Sequence, residues 1–389
     1  MFRTDAPDFT FGTMPMFAPI LFLVLAGLLA PAAAGAEAVT GDYAAAVLMD
    51  ARTGEVLFAE NEHEPLPPAS MVKMMTELIV LELEAEGEIG SDDQVLVSAK
   101  ASKMGGSQVY LKQGESFTVH ELLLALSIHS ANDAAVALAE HVAGSVEAFV
   151  DLMNSRARAL GMHDTRFHFV HGLPPGWRQE ADLSSAYDMA LLGRELSTHP
   201  EALAWAVSDQ VPFRDGRFIL TNPNPLVGNF RGLEGIKTGF HSQAGYCLTA
   251  AATQKGVRLI SVVMGASTDE NRGLETTRLL ARGFDTYTKL TLVAAAGGVC
   301  AETVAVKGGR WQRAPLAFAE PLVVGVPRDR SDEVVFRYEL PDRIEAPLPA
   351  GEVVGRAVAE LDGHDLGAVD LMVSEDVEKG GFWDRLFKR

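Results

Sequence analysis

Cysteine is nearly absent from this chain, with two residues, Cys247 and Cys300, among 389. Two thiols are too few for a disulfide framework or a cysteine zinc site, and they are expected as small buried groups in different domains. Positive charge is also scarce. Thirty-three Lys and Arg stand against 52 Asp and Glu, a formal charge of −19, which argues against binding nucleic acid through its phosphates. What is present is ordinary for a folded protein: 48% hydrophobic and 22% charged residues, in a chain long enough for two domains with proper cores.

An apolar stretch, "MFAPILFLVLAGLLAPAAAGA" (16–36), runs into small residues, with Ala34-Gly35-Ala36 as an A-x-A cleavage site before Glu37. This is the pattern of a secretory signal peptide, too short and Pro-interrupted for a membrane span. The preceding segment carries Arg3 against Asp5 and Asp8 where a positive region is expected. The start therefore lies at an internal methionine such as Met14, or the segment is an uncleaved anchor. No cysteine near the cleavage site signals lipid modification. The mature chain is expected from residue 37 onward, exported.

Residues 43–61 read as an opening hairpin. A helix follows from about residue 70. Helical periodicity over 119–144 is interrupted by a polar break at Ser130-Ala131-Asn132. Further helices are expected over 145–161, closed by Gly161, and over 184–199. Strand character returns at 210–221, around an Asp215-Gly216 turn, and at 244–253 and 258–266, before a last helix over about 272–287. Strands at both ends with helices between predict an α+β fold, an antiparallel sheet with a helical cluster over 37–291. Short alternating segments over 292–374 predict a small all-β domain. In the tail, 375–389, Phe382, Trp383, Leu386 and Phe387 share one helical face with Arg385, Lys388 and Arg389 outside it. Two readings stand: a segment lying in a membrane interface, or a tail packed on the domain.

Three short motifs occur in order: Ser70-Met71-Val72-Lys73 opening a helix, Ser130-Ala131-Asn132 between helices, and Lys237-Thr238-Gly239 where a strand is expected to begin. Each is weak alone. Ser70, Ser130 and Asn132 could be helix caps, and Lys73 and Lys237 solvated lysines. Together, in this order and these settings, they resemble the penicillin-recognising serine enzymes, the penicillin-binding proteins and serine β-lactamases.

The physical logic agrees. Residues i and i+3 share a helix face, so the Lys73 amine reaches the Ser70 hydroxyl. A serine hydroxyl needs a base to take its proton, and a lysine serves if burial and a second positive charge, Lys237, lower its pKa. The resemblance implies catalytic roles for Ser70, Lys73 and Ser130, the last relaying a proton to the leaving group. It implies substrate-binding roles for Asn132 on the amide and Lys237 and Thr238 on the carboxylate. Gly239 completes the third motif, and the backbone N–H groups of Ser70 and Phe240 would form the oxyanion hole. Phe240 is a bulky rim residue there.

The blocks "NSRARALGMHDTRFHFVHGL", "LEGIKTGFHSQAGYCL" and "VVMGASTDENRG" with the trailing β domain narrow the resemblance to D-alanyl-D-alanine carboxypeptidases of the low-molecular-mass penicillin-binding class. Arg272 matches a family arginine near the carboxylate end of the site, with helix-surface charge as its competing reading. His171 falls in a family-like block but reads as structural. The implied reaction removes the terminal D-alanine from peptidoglycan stem pentapeptides through an acyl-enzyme on Ser70, with β-lactams as covalent inhibitors. The implied location is the periplasm or cell envelope, with a peripheral contact at the inner-membrane surface. Neither a cofactor nor a metal is implied, since His63, His129 and His171 lack ligand spacing. The rival functions are a D,D-endopeptidase cutting cross-links and a slow-turnover penicillin-binding sensor. A class A β-lactamase is disfavoured, because no glutamate precedes an asparagine by four residues between 133 and 237, and Ala131 stands where those enzymes usually have Asp.

Overall fold

The computed structural model describes residues 41–381; the apolar segment 16–36 and the end of the amphipathic tail, 382–389, lie outside it. The chain opens with the hairpin β1 (Ala45–Asp50) and β2 (Val56–Glu60). A short 3-10 turn, Ala69–Val72, then leads into α1 (Lys73–Ala85). The small pair β3 (Gln94–Leu96) and β4 (Ser116–Thr118) precedes α2 (Val119–His129), whose start is fixed by a capping box between Thr118 and Glu121. α3 (Asn132–Ala143) and α4 (Val146–Ala159) follow, then α5 (Ala186–Leu196), capped by Ser185, and α6 (Pro200–Ala206). β5 (Gln210–Phe213) and β6 (Phe218–Thr221) form a separate hairpin. The main sheet is completed by β7 (Leu233–His241), β8 (Gly245–Gln254) and β9 (Val257–Ala266), and α7 (Asp269–Thr286) follows.

The sheet runs β2-β1-β9-β8-β7 with every pair antiparallel. Alternation along β1 decides how it is covered. Ala45, Val47 and Met49 face the core shared with α1 to α5. Ala46 and Leu48 face the opposite core, against Leu279, Leu280 and Phe284 of α7. Both faces are therefore buried. α7 begins three residues before the expected start because Thr268 caps it, accepting from Asn271 N. The strand carrying Lys237 also differs from expectation: β7 begins at Leu233, so the lysine is mid-strand. Gly235 and Gly239 dilute its strand signal, and pairing with β8 creates it.

After α7 come β10 (Tyr287–Val293), β11 (Val299–Lys307), β12 (Arg313–Phe318) and β13 (Leu322–Pro327). β14 (Val335–Glu339), β15 (Ile344–Glu345), β16 (Val353–Leu361) and β17 (His364–Val373) complete the chain's strands. β10 pairs with β13, and the other six form one sheet, β14-β16-β17-β12-β11-β15. Their own apolar cluster includes Leu316, Val324, Ala357 and Leu371. Polar contacts join the β region to the main sheet: Arg52 donates to the carbonyls of Gly325 (3.0 Å) and Leu366 (2.5 Å), and Tyr287 OH donates to Asp50 (2.9 Å).

Candidate active site

Ser70 sits in the 3-10 turn that leads into α1, preceded by Pro67 and Pro68, which bias the chain away from helix until that point. Neither the turn nor α1 uses a side-chain cap, so the hydroxyl is not spent on the helix end. Instead Lys73 Nζ donates to Ser70 Oγ at 2.9 Å and to the carbonyl of His171 at 2.7 Å. Lys73 is fully buried. Burial first, then the positive charge of Lys237, holds its pKa well below the usual lysine value, while Asp182 and Asp133 pull the other way. A neutral amine against a serine hydroxyl is the arrangement a general base requires.

The turn before Ser70 is pinched. Ala69 holds a left-handed backbone at φ 50°, a strained state for a residue with a Cβ. Two glycines make room for it. A Cβ on Gly172, itself at φ +72°, would lie 1.9 Å from the Ala69 carbonyl oxygen, and one on Gly239 would lie 2.6 Å from that of Pro68. Gly239 is thus where β7, the last strand in the sheet order, closes directly on the turn that carries Ser70. Phe240 follows it, 53% exposed, its ring stacked on Tyr246 at 4.2 Å.

Ser130 ends α2 in a left-handed conformation and Asn132 opens α3; here too no side-chain cap is made at the α3 start. Asn132 Nδ2 donates to Gly105 O at 2.7 Å. The buried Ser130 Oγ and Asn132 Oδ1 have no hydrogen-bond partner among the described residues. Buried polar atoms left open in this way are what a bound amide and a leaving group would engage.

Lys237 is buried mid-strand. Burial pushes its pKa down to about 7, with Arg272 pushing the same way and Glu77 opposing. Thr238 is buried beside it. Arg272 is 3% exposed, which removes the helix-surface reading. It pairs with Asp269, donates weakly to Cys247 O (3.4 Å) and lies 5.8 Å from the Tyr246 ring. It therefore backs the Phe240–Tyr246 stack rather than reaching Ser70.

Four contributors escaped the motif reading. Glu77, one turn beyond Lys73 on α1, is 1% exposed, and burial pushes its pKa up to about 8. A glutamate at i+4 inside an apolar helix was its one signal. Asp133 accepts from Val109 N and Leu111 N, anchoring the 105–111 loop next to Asn132. Asp182 lies in the segment between α4 and α5. His171 acts through its carbonyl, which no side-chain pattern reveals; burial lowers its ring pKa to about 3. Cys247 and Cys300 are free and buried, as expected.

Residues 32–268 match the family described as D-alanyl-D-alanine carboxypeptidase, and residues 287–379 match the C-terminal domain of penicillin-binding protein 5. A D-alanyl-D-alanine carboxypeptidase of Bacillus subtilis, DacF, is 37% identical over 341 residues, covering 87% of this chain and 86% of that protein. Penicillin-binding protein 5 of Haemophilus influenzae superposes with a TM-score of 0.64 at 33% identity, over 89% of this chain and all of that one. Penicillin-binding protein D2 of Listeria monocytogenes, solved in an ampicillin-bound form, gives 0.58 at 33% identity over 64% of this chain and 99% of that one.

Proposed function

This chain belongs to the D-alanyl-D-alanine carboxypeptidase family and is a serine hydrolase of that class, and on that premise we propose that Ser70 is its nucleophile and Lys73 the base. The observation that carries this reading is the 2.9 Å contact from a fully buried lysine amine to the serine hydroxyl. Ser70 Oγ attacks the carbonyl of the D-Ala–D-Ala peptide bond as Lys73 takes its proton. The N–H groups of Ser70 and Phe240 hold the oxyanion. Because both donors are backbone, the phenylalanine side chain leaves this function intact. Ser130 passes a proton to the departing D-alanine amine, Asn132 holds the substrate amide, and Lys237 with Thr238 holds the terminal carboxylate. Arg272 adds positive potential behind them. Water then hydrolyses the ester on Ser70, and β-lactams acylate the same hydroxyl as their ring C–N bond opens.

Export to the cell envelope is part of this proposal, supported by the 16–36 pattern. No helix among the described residues is long and apolar enough to cross a membrane. We assign 37–291 to catalysis and 292–374 to a separate β unit, supported by the latter's own apolar cluster. Within the 375–389 tail, Val377 packs in the β region's apolar cluster and pairs with Leu348, so the membrane-surface contact is proposed for 382–389; deleting 382–389 should move the protein from the membrane to the soluble fraction, and an unchanged distribution would refute the contact.

The test of function is mass spectrometry on isolated muropeptides. Purified protein should shorten pentapeptide monomer by one alanine and leave cross-linked dimer intact. Ser70→Ala should lower the rate about 10⁶-fold and abolish fluorescent penicillin labelling; retained labelling would refute the nucleophile. Dimer falling to monomers would make the protein an endopeptidase, and no product would make it a slow-turnover sensor.

A further inference from the structure

Between α4 and α5, residues 163–185 contain only isolated strand-like pairs, Arg166 with Leu183 and Ser184 with Leu66. Asp182 lies at the base of this segment, 5% exposed. Its Oδ1 accepts from the backbone N–H of His168 (2.6 Å) and Phe169 (3.0 Å). The next two residues, Val170 and His171, turn their carbonyls onto α1, where they accept from Thr76 Oγ1 (3.1 Å) and Lys73 Nζ (2.7 Å). One carboxylate oxygen thus holds the stretch that grips the catalytic lysine.

The other oxygen, Oδ2, is buried without a hydrogen-bond partner among the described residues. Asp182 lines a cavity of about 10 Å³ together with Ala69, Gly172 and His241, immediately behind the nucleophile's turn. That is roughly the room one water needs. His241 Nδ1 accepts from Gln243 N (3.2 Å) and Ala244 N (3.1 Å), which leaves its ring proton on Nε2. The cavity is therefore bordered by Asp182 and the polar His241, beside a carboxylate that burial has largely stripped of water.

We propose that Asp182 is a positioning residue for acylation: it clamps the 168–171 stretch against Lys73 and serves as the lysine's buried counter-charge. This rests on the reading of Lys73 as the base. The charges facing Lys73 come from three elements, Lys237 on β7, Asp133 on α3 and Asp182 on the 163–185 segment, beside an uncharged His171. Burial pushes Asp182 itself up to about 6, and Lys73 draws it down. The sign follows. Above about pH 6, where it is ionised, Asp182 favours protonated Lys73, so removing its charge in that range lowers the lysine pKa further. Acylation needs the neutral amine, so its acidic limb then moves to lower pH.

The experiment measures acylation of the full chain by a fluorescent penicillin across pH, for wild type, Asp182→Asn and Asp182→Glu. Asp182→Asn keeps the shape and one acceptor; its acidic limb should fall by about half a pH unit or more, the scale of one charge at partly screened range. Asp182→Glu should restore the wild-type position. An unmoved or raised limb in Asp182→Asn would reduce Asp182 to a loop anchor and overturn the proposal. If Asp182→Asn does not fold, Asp182→Ser carries the same test, and failure of both to fold would make Asp182 a folding residue instead. A wild-type profile identical to that of Lys73→Ala would remove the base itself, a separate failure visible without any Asp182 variant.

Discussion

The cleft around Ser70 and the C-terminal β region use the same charged residue types in opposite ways. In the β region Arg337 reaches Glu339 (2.5 Å), Glu360 (3.0 Å) and Asp365 (2.9 Å), and Arg330 reaches Glu333 and Asp362 (both 2.6 Å), all at the solvent-facing surface. Each of these charges has an opposite partner, and both arginines are held more firmly protonated than usual. In the cleft, Lys73, Lys237, Glu77, Asp182 and Arg272 are each 5% exposed or less. Several keep atoms unpartnered, and burial moves each group toward its neutral form. Exposed pairs contribute little to stability, while buried, incompletely paired groups are costly and persist where chemistry uses them.

Removing Lys73, the proposed base, is expected to have the largest effect on this contrast. Lys73→Ala should slow penicillin acylation about 10²–10⁴-fold, the usual weight of a general base, with thermal stability unchanged or raised, since an expensive buried amine is gone. Acylation at the wild-type rate would show that the burial of Lys73 is not used for catalysis. Next in size, Gly172→Ala forces a Cβ into the Ala69 carbonyl at a positive φ. It should cost about 2 kcal/mol or more in a melting experiment and slow acylation too, because the turn that carries Ser70 must shift. An unchanged Tm would mean the turn is slack. Smallest is Arg337→Ala, which breaks three surface ion pairs yet should move Tm by no more than about 2 °C and leave acylation untouched. A large drop in Tm would erase the distinction between the two regions.

Much of the fold could be read along the chain. The helical periodicity on either side of Ser130-Ala131-Asn132 became α2 and α3, and the apolar runs at 244–253 and 258–266 became β8 and β9. The strand β7 was expected from its motif, but its start at Leu233 was not legible, because its glycines serve close approach rather than strand propensity. That α7 covers the sheet's second face was not legible, since alternation in β1 places apolar residues on both sides without naming their partners. In the site, the motif residues were legible because i,i+3 spacing and loop position are local. Asp182 and the His171 carbonyl were not, because they meet Lys73 across about a hundred residues of chain.

The sequence by itself determined which chemistry was available: a serine with a lysine one turn on, two further motifs in order, and a net charge of −19 that turns the protein away from nucleic acid. Only the tertiary structure decided that the lysine is buried, which carbonyl and which carboxylates surround it, and that Gly172 and Gly239 close on the turn before Ser70. The reason is physical. Residue identity fixes which protons can move, but the free energy of moving one depends on desolvation and neighbouring charge, and both are set by residues that only folding brings together.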